Sequence, residues 1–84
     1  MKYDVVKVQP IDYLRLLVTF RDGLKGEVVF RESHLNGIFE ALRNPDIFSE
    51  VSCKNGFVEW PGEIDLAPDA MYEEVKEKGV WELV

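Results

Sequence analysis

Between residues 14 and 30 the side-chain pattern spells out two half-buried strands. Leu14, Leu16, Val18 and Phe20 alternate with Arg15 and Thr19. This period of two puts the apolar set on one face of a strand and the polar set on the other. Asp22-Gly23 then supplies a turn, and Val28 and Phe30 resume the apolar face. A two-residue Asp-Gly loop would set Phe20 opposite Lys25 and Val18 opposite Glu27, burying charge. A three-residue connection through Asp22, Gly23 and Leu24, or an equivalent bulge, is therefore expected, with Val18 opposite Val28 and Leu16 opposite Phe30.

The rest of the chain extends this start. Tyr3 to Val8 is rich in Val and Tyr and reads as a first strand, broken by Pro10. From 32 to 49 the period changes: Leu35, Phe39 and Leu42 fall at helical spacing behind Asn36 as a cap. Asn44-Pro45 then ends that helix and restarts a short turn carrying Ile47 and Phe48. Residues 50 to 60 form a second hairpin around Asn55-Gly56, with Cys53 opposite Val58 and Val51 opposite Trp60 on its core face, which makes Trp60 a core anchor.

Pro61-Gly62 closes that hairpin, and Pro68 opens a last helix that Gly79 stops. Asp69, Glu73 and Glu74 sit early in it and Lys76 and Lys78 late, in the order the helix dipole favours, with Met71, Tyr72 and Val75 as its apolar stripe. Val80, Trp81, Leu83 and Val84 form an apolar tail. It either folds back onto the sheet or offers a partner an apolar patch or an added strand, and the two readings predict opposite exposure of Trp81. The expectation is an α+β fold: one small domain over residues 1–84, antiparallel hairpins flanking short helices, in the order β-β-β-α-β-β-α.

At 84 residues the chain has room for one core. It buries only about 60–65% of the surface its unfolded form exposes, so association with another chain would add to a thin stability margin. The net charge of −6 comes from 16 acidic against 10 basic residues, with the acids concentrated late in the chain. No Lys/Arg cluster is apparent, so direct nucleic-acid contact is not expected, and a protein partner or self-association fits better. A single Cys cannot form an internal disulfide, and no apolar run reaches membrane-spanning length; the cytoplasm is the expected compartment and no membrane contact is foreseen.

Candidate chemistry is sparse. His34 and Cys53 are the only histidine and thiol, and the hairpin register turns Cys53 inward beside Val58, where a thiol is inert. No paired Cys or His stands at metal-ligand spacing, and the glycines are scattered rather than gathered into a phosphate loop. No catalytic residue, metal site or cofactor is therefore expected. One alternative is an enzyme or cation-binding protein built on Asp65 and Asp69 with Glu63, and it needs those carboxylates to converge. Another is a nucleic-acid-associated regulator. It needs Lys2, Lys7, Arg15, Arg21, Lys25, Arg31 and Arg43 on one face.

Trp60-Pro61-Gly62, then Asp65-Leu66-Ala67-Pro68-Asp69 and Met71-Tyr72, resemble the closing signature of a bacterial family known as domain of unknown function 2442. Phe20 to Gly23, Gly37, Phe39, Leu42, Pro45 and Phe48 also fit its pattern. The likeness covers about residues 3–73 and leaves the 75–84 tail outside. Family members commonly carry Asn-Gly after the Trp-Pro, where this chain has Gly62-Glu63-Ile64. The resemblance implies a small α+β domain without established catalytic residues. Some relatives join it to a helix-turn-helix; others are short stand-alone proteins encoded beside another small protein, an arrangement resembling toxin and antitoxin pairs, and this chain resembles that type. The expected role is a non-enzymatic binding or regulatory module. Its expected contact residues are Trp81 and Leu83 of the tail with the acidic Glu73, Glu74 and Glu77.

Overall fold

The computed structural model describes residues 3–84. Strands β1 (Val5–Asp12), β2 (Arg15–Phe20) and β3 (Lys25–Phe30) come first. Two 3₁₀ segments (Glu32–His34 and Gly37–Arg43) and the short helix α1 (Pro45–Phe48) follow. Strands β4 (Glu59–Trp60) and β5 (Ile64–Asp65), helix α2 (Pro68–Lys78) and strand β6 (Val80–Leu83) complete the chain. The architecture is α+β: a four-stranded sheet in the order β1-β2-β3-β6, a separate β4-β5 pair, and helical segments packed on one face of the larger sheet.

Leu16, Val18 and Phe20 of β2 and Val28 and Phe30 of β3 are buried as their alternation requires. The β2–β3 loop has the expected three residues but starts one earlier, at Arg21. Phe20 N donates to Leu24 O at 2.8 Å and Gly23 N to Phe20 O at 2.9 Å. Leu16 therefore pairs with Val28, and Val18 with Gly26. The register differs from expectation by two residues, which keeps every side chain on its own face. Gly26, opposite Val18, lies on the core face beneath α2. A Cβ there would lie 2.4 Å from Val75 Cγ1 and 2.8 Å from Gly79 O, so α2 and its cap descend onto the sheet through the gap that Gly26 leaves.

β1 runs through Pro10 instead of ending there. It is an edge strand, where a missing N–H is tolerated, and it bulges between Val5 and Lys7 and between Pro10 and Asp12. Leu14 is buried as expected but belongs to the turn into β2, at φ 64°. Asn36 does not cap the second 3₁₀ segment, since its side chain donates to Ser33 O. Asn44 does cap α1, accepting from Asp46 N at 2.9 Å.

The Asn55-Gly56 hairpin is reduced to one bridge, Ser52 with Glu59, in the expected register. Its first strand does not form; Val5 N donates to Gly56 O of the turn at 2.8 Å, and β4 pairs with β5 across Pro61–Glu63. Val58 and Trp60 still face the core. Trp60 Nε1 donates to Phe48 O at 2.8 Å, and its ring lies 5.8 Å from Phe30 and 6.0 Å from Phe48.

α2 begins at Pro68 and ends at Gly79 (φ 77°), with Met71, Tyr72 and Val75 buried. The tail then folds back as β6, parallel to β3, with Val28 beside Trp81 and Phe30 beside Leu83. No helix among the described residues is long and apolar enough to cross a membrane.

Candidate interaction surface

The registers place each strand residue on one of two faces. Leu16, Val18, Phe20, Val28, Phe30, Trp81 and Leu83 face α2 and the core. The opposite face carries Lys7 and Gln9 of β1, Arg15, Leu17 and Thr19 of β2, Lys25, Glu27 and Val29 of β3, and Val80 and Glu82 of β6. The described helical segments and the β4-β5 pair pack on the other side, and no described segment covers this face. Leu17, Thr19, Val29 and Val80 are half-buried on it. Arg15 donates to Glu27 (Nη2 to Oε1 2.6 Å) and Arg31 to Glu82. The Glu27 carboxylate holds the Arg15 guanidinium above its usual range by hydrogen bonding and charge.

At the Arg15 end of this face, Tyr13, Leu14, Arg15, Val29, Phe30, Arg31 and Glu32 surround an open depression of about 550 Å³. The Tyr13 hydroxyl there donates to Arg43 O at 3.0 Å. Both guanidiniums flanking the depression already hold carboxylates.

The face is also distinct in charge. Basic Lys7, Arg15, Lys25 and Arg31 lie on it or at its rim against Glu27 and Glu82. The acidic excess lies elsewhere, at Glu50, Glu63, Asp65, Asp69, Glu73 and Glu77, all exposed on loops, β5 and α2. A mildly basic platform thus sits on a chain of net charge −6.

The residues singled out from the sequence are dispersed by this fold. Leu83 is buried in the core, which takes its side chain out of any contact surface. Trp81 is half-buried against the core, Glu73 and Glu77 are exposed on α2, and Glu74 is half-buried and accepts from Lys78 Nζ at 3.3 Å. Glu74 and Lys78 line a groove of about 290 Å³ with Val80, Glu82 and Val84 along the outer side of β6. Asp65 lies on β5, and Asp69 accepts from Ala70 N at 2.9 Å. No group of three or more His, Cys, Asp or Glu among the described residues is placed to hold a metal ion.

His34 lies tilted against Phe39 (4.9 Å between centroids) with Nδ1 3.2 Å from Val84 O, whereas Cys53 packs at β1, where burial pushes its thiol pKa up. Of the seven basic residues, Lys2 lies outside the described residues and Arg43 turns away to hold Leu35 O at 3.0 Å. Arg21 pairs with Asp4 beyond the end of β2. Leu17 was passed over in the sequence, although its place between Arg15 and Thr19 marks it as the apolar exception on the polar side of β2.

The family model described as protein of unknown function (DUF2442) matches residues 5–77. The chain belongs to the DUF2442 family. The match spans the DUF2442 domain from the start of β1 to the next-to-last residue of α2 and stops short of β6. No curated protein and no solved structure matches the chain.

Proposed function

We propose that this DUF2442 domain is a non-enzymatic binding module acting in the cytoplasm, and that it contacts another protein through the open face of its four-stranded sheet. The observation that carries this reading is the surface itself. Leu17, Val29 and Val80 lie across three adjacent strands among Arg15, Glu27, Arg31 and Glu82. Apolar side chains interleaved with paired charges, Glu27 between Leu17 and Val80 and Val29 between Arg15 and Glu82, make a mixed, arginine-bearing surface of a composition that suits a protein interface. The net charge of −6 and the carboxylates already held by Arg15 and Arg31 disfavour a polyanion on the same face. The resemblance to stand-alone relatives encoded beside a small protein favours a regulatory, antitoxin-like pairing.

The test is site-specific photo-crosslinking in the native cell. A photoreactive residue at position 17 should yield one discrete protein adduct, and the same residue at position 77 should not. Equal labelling from both positions, or adducts to nucleic acid alone, would overturn the reading.

A further inference from the structure

The two edges of the four-stranded sheet differ in how they are finished. β1 bulges twice, carries Pro10, and has Val5 N occupied by Gly56 O. These are the devices by which sheets prevent edge pairing. β6, the other edge, runs Val80-Trp81-Glu82-Leu83 with no proline and no bulge. Its one charge, Glu82, is already paired with Arg31.

The direction of its free backbone groups follows from the ladder. Gly79 O accepts from Glu27 N at 3.2 Å and Leu83 O from Arg31 N at 2.8 Å, so odd-numbered residues turn their main chain toward β3. By the alternation of a parallel strand, Val80 and Glu82 turn their N–H and C=O outward.

We infer that the outer edge of β6 binds the same edge of a second copy, antiparallel, about a two-fold axis at Trp81. This goes beyond the open-face reading above and uses a different surface.

Three features select a second copy as the occupant. First, a two-fold at Trp81 sets Val80 opposite Glu82 of the other chain, and all four outward-facing residues then exchange both hydrogen bonds. Glu82 does not meet its own copy. Second, α2 rests on both β3 and β6, with Val75 over Gly26. Strands about 4.8 Å apart would then carry the two helices about 10 Å apart, the spacing at which helices pack. Third, α2 runs back along β6, so the axis passes between Glu74 and Lys78, which line the groove beside that edge. Glu74 of each copy then faces Lys78 of the other, a charge-complementary arrangement that a two-fold repeats. The half-buried Trp81 rings would meet between sheet and helices.

Sedimentation equilibrium of the full chain should give twice 9.7 kDa. The E82P variant removes an N–H that this fold leaves unpaired, so it should keep the native circular dichroism and sediment as a monomer. E74K and K78E each create like-charge pairs across the axis and should weaken dimerisation about tenfold or more. An equimolar mixture of the two should recover it as a heterodimer, since every pair is then opposite in sign. Dilution through the dimer transition should shift tryptophan emission to the red in the wild type and leave E82P unchanged. A monomeric wild-type chain, or a dimer indifferent to E82P and to both charge variants, would overturn the inference. Loss of the position-17 crosslink has no bearing on either result, so the two readings fail separately.

Discussion

The Tyr72 hydroxyl donates to Asp22 Oδ2 at 2.5 Å, tying α2 to the β2–β3 loop fifty positions away in sequence. The Tyr72 ring is itself held edge-on by Phe20 (5.1 Å) and Tyr3 (5.2 Å). The hydrogen bond to the carboxylate favours the protonated phenol, and burial adds to this. The Tyr72 pKa is pushed from the ordinary 10 up to about 12.

Stability at high pH follows with a definite sign. The folded pKa is raised, so the contribution of this contact is fully present below pH 10 and is lost as pH rises through about 12. Urea denaturation midpoints should therefore fall over that window in the wild type and fall less in Tyr72→Phe. Absorbance titration at alkaline pH should show one tyrosinate appearing late, and that late step should vanish in the variant.

Gly26→Ala should destabilise the domain by about 1–3 kcal/mol, the usual cost of forcing volume into a packed contact. Two atoms resist the new methyl group, Val75 Cγ1 at 2.4 Å and Gly79 O at 2.8 Å. Shortening the side chain in Gly26→Ala/Val75→Ala relieves only the first, because Gly79 O belongs to the helix cap. The double variant should therefore remain below Val75→Ala alone in denaturant midpoint. Equality of the two would place the obstruction in Val75 only.

Trp60→Phe leaves the buried Phe48 carbonyl without its Nε1 donor and opens space beside Phe30 and Phe48. The expected loss is about 2–4 kcal/mol, combining an unpaired acceptor with a partial cavity. Chemical denaturation measures it. Trp60→Leu, with the same donor missing and a larger cavity, should be worse.

Cys53 is half-buried against the core and its thiol pKa is raised by desolvation. Alkylation by iodoacetamide at mildly alkaline pH should thus be slower in the native chain than in urea, and its rate should climb with pH later than for an exposed thiol. Mass spectrometry of quenched time points reads this directly. A native rate equal to the unfolded one would show that the contact with β1 opens freely.

Much of the core was legible in the local pattern. The alternation Leu16, Val18, Phe20 fixed which face of β2 is buried, because a strand's side chains change face at every residue. Pro68 and Gly79 bounded α2 to the residue, since one supplies a ready helical φ and the other an αL cap. What local pattern could not reach was decided between distant segments. The close approach of α2 to β3 at Gly26 joins segments some fifty residues apart, a contact that the local pattern of β3 does not encode. The Asn55-Gly56 turn is joined to β1 by Val5 N donating to Gly56 O, and only the Ser52–Glu59 bridge remains of its hairpin.

The tail is the sharpest case for function. Its apolar composition was plain in Val80, Trp81, Leu83 and Val84, but the same residues suit a partner or a sheet. Only the parallel pairing with β3 sends Leu83 into the core and leaves the main chain of Val80 and Glu82 facing out. Likewise Leu17, Val29 and Val80 lie far apart in sequence and become one surface only when β2, β3 and β6 align. Sequence alone thus determined which side of each element avoids water, a short-range consequence of backbone period. Tertiary structure decided which elements share an edge or a face, because that choice rests on contacts between segments that local periodicity does not encode.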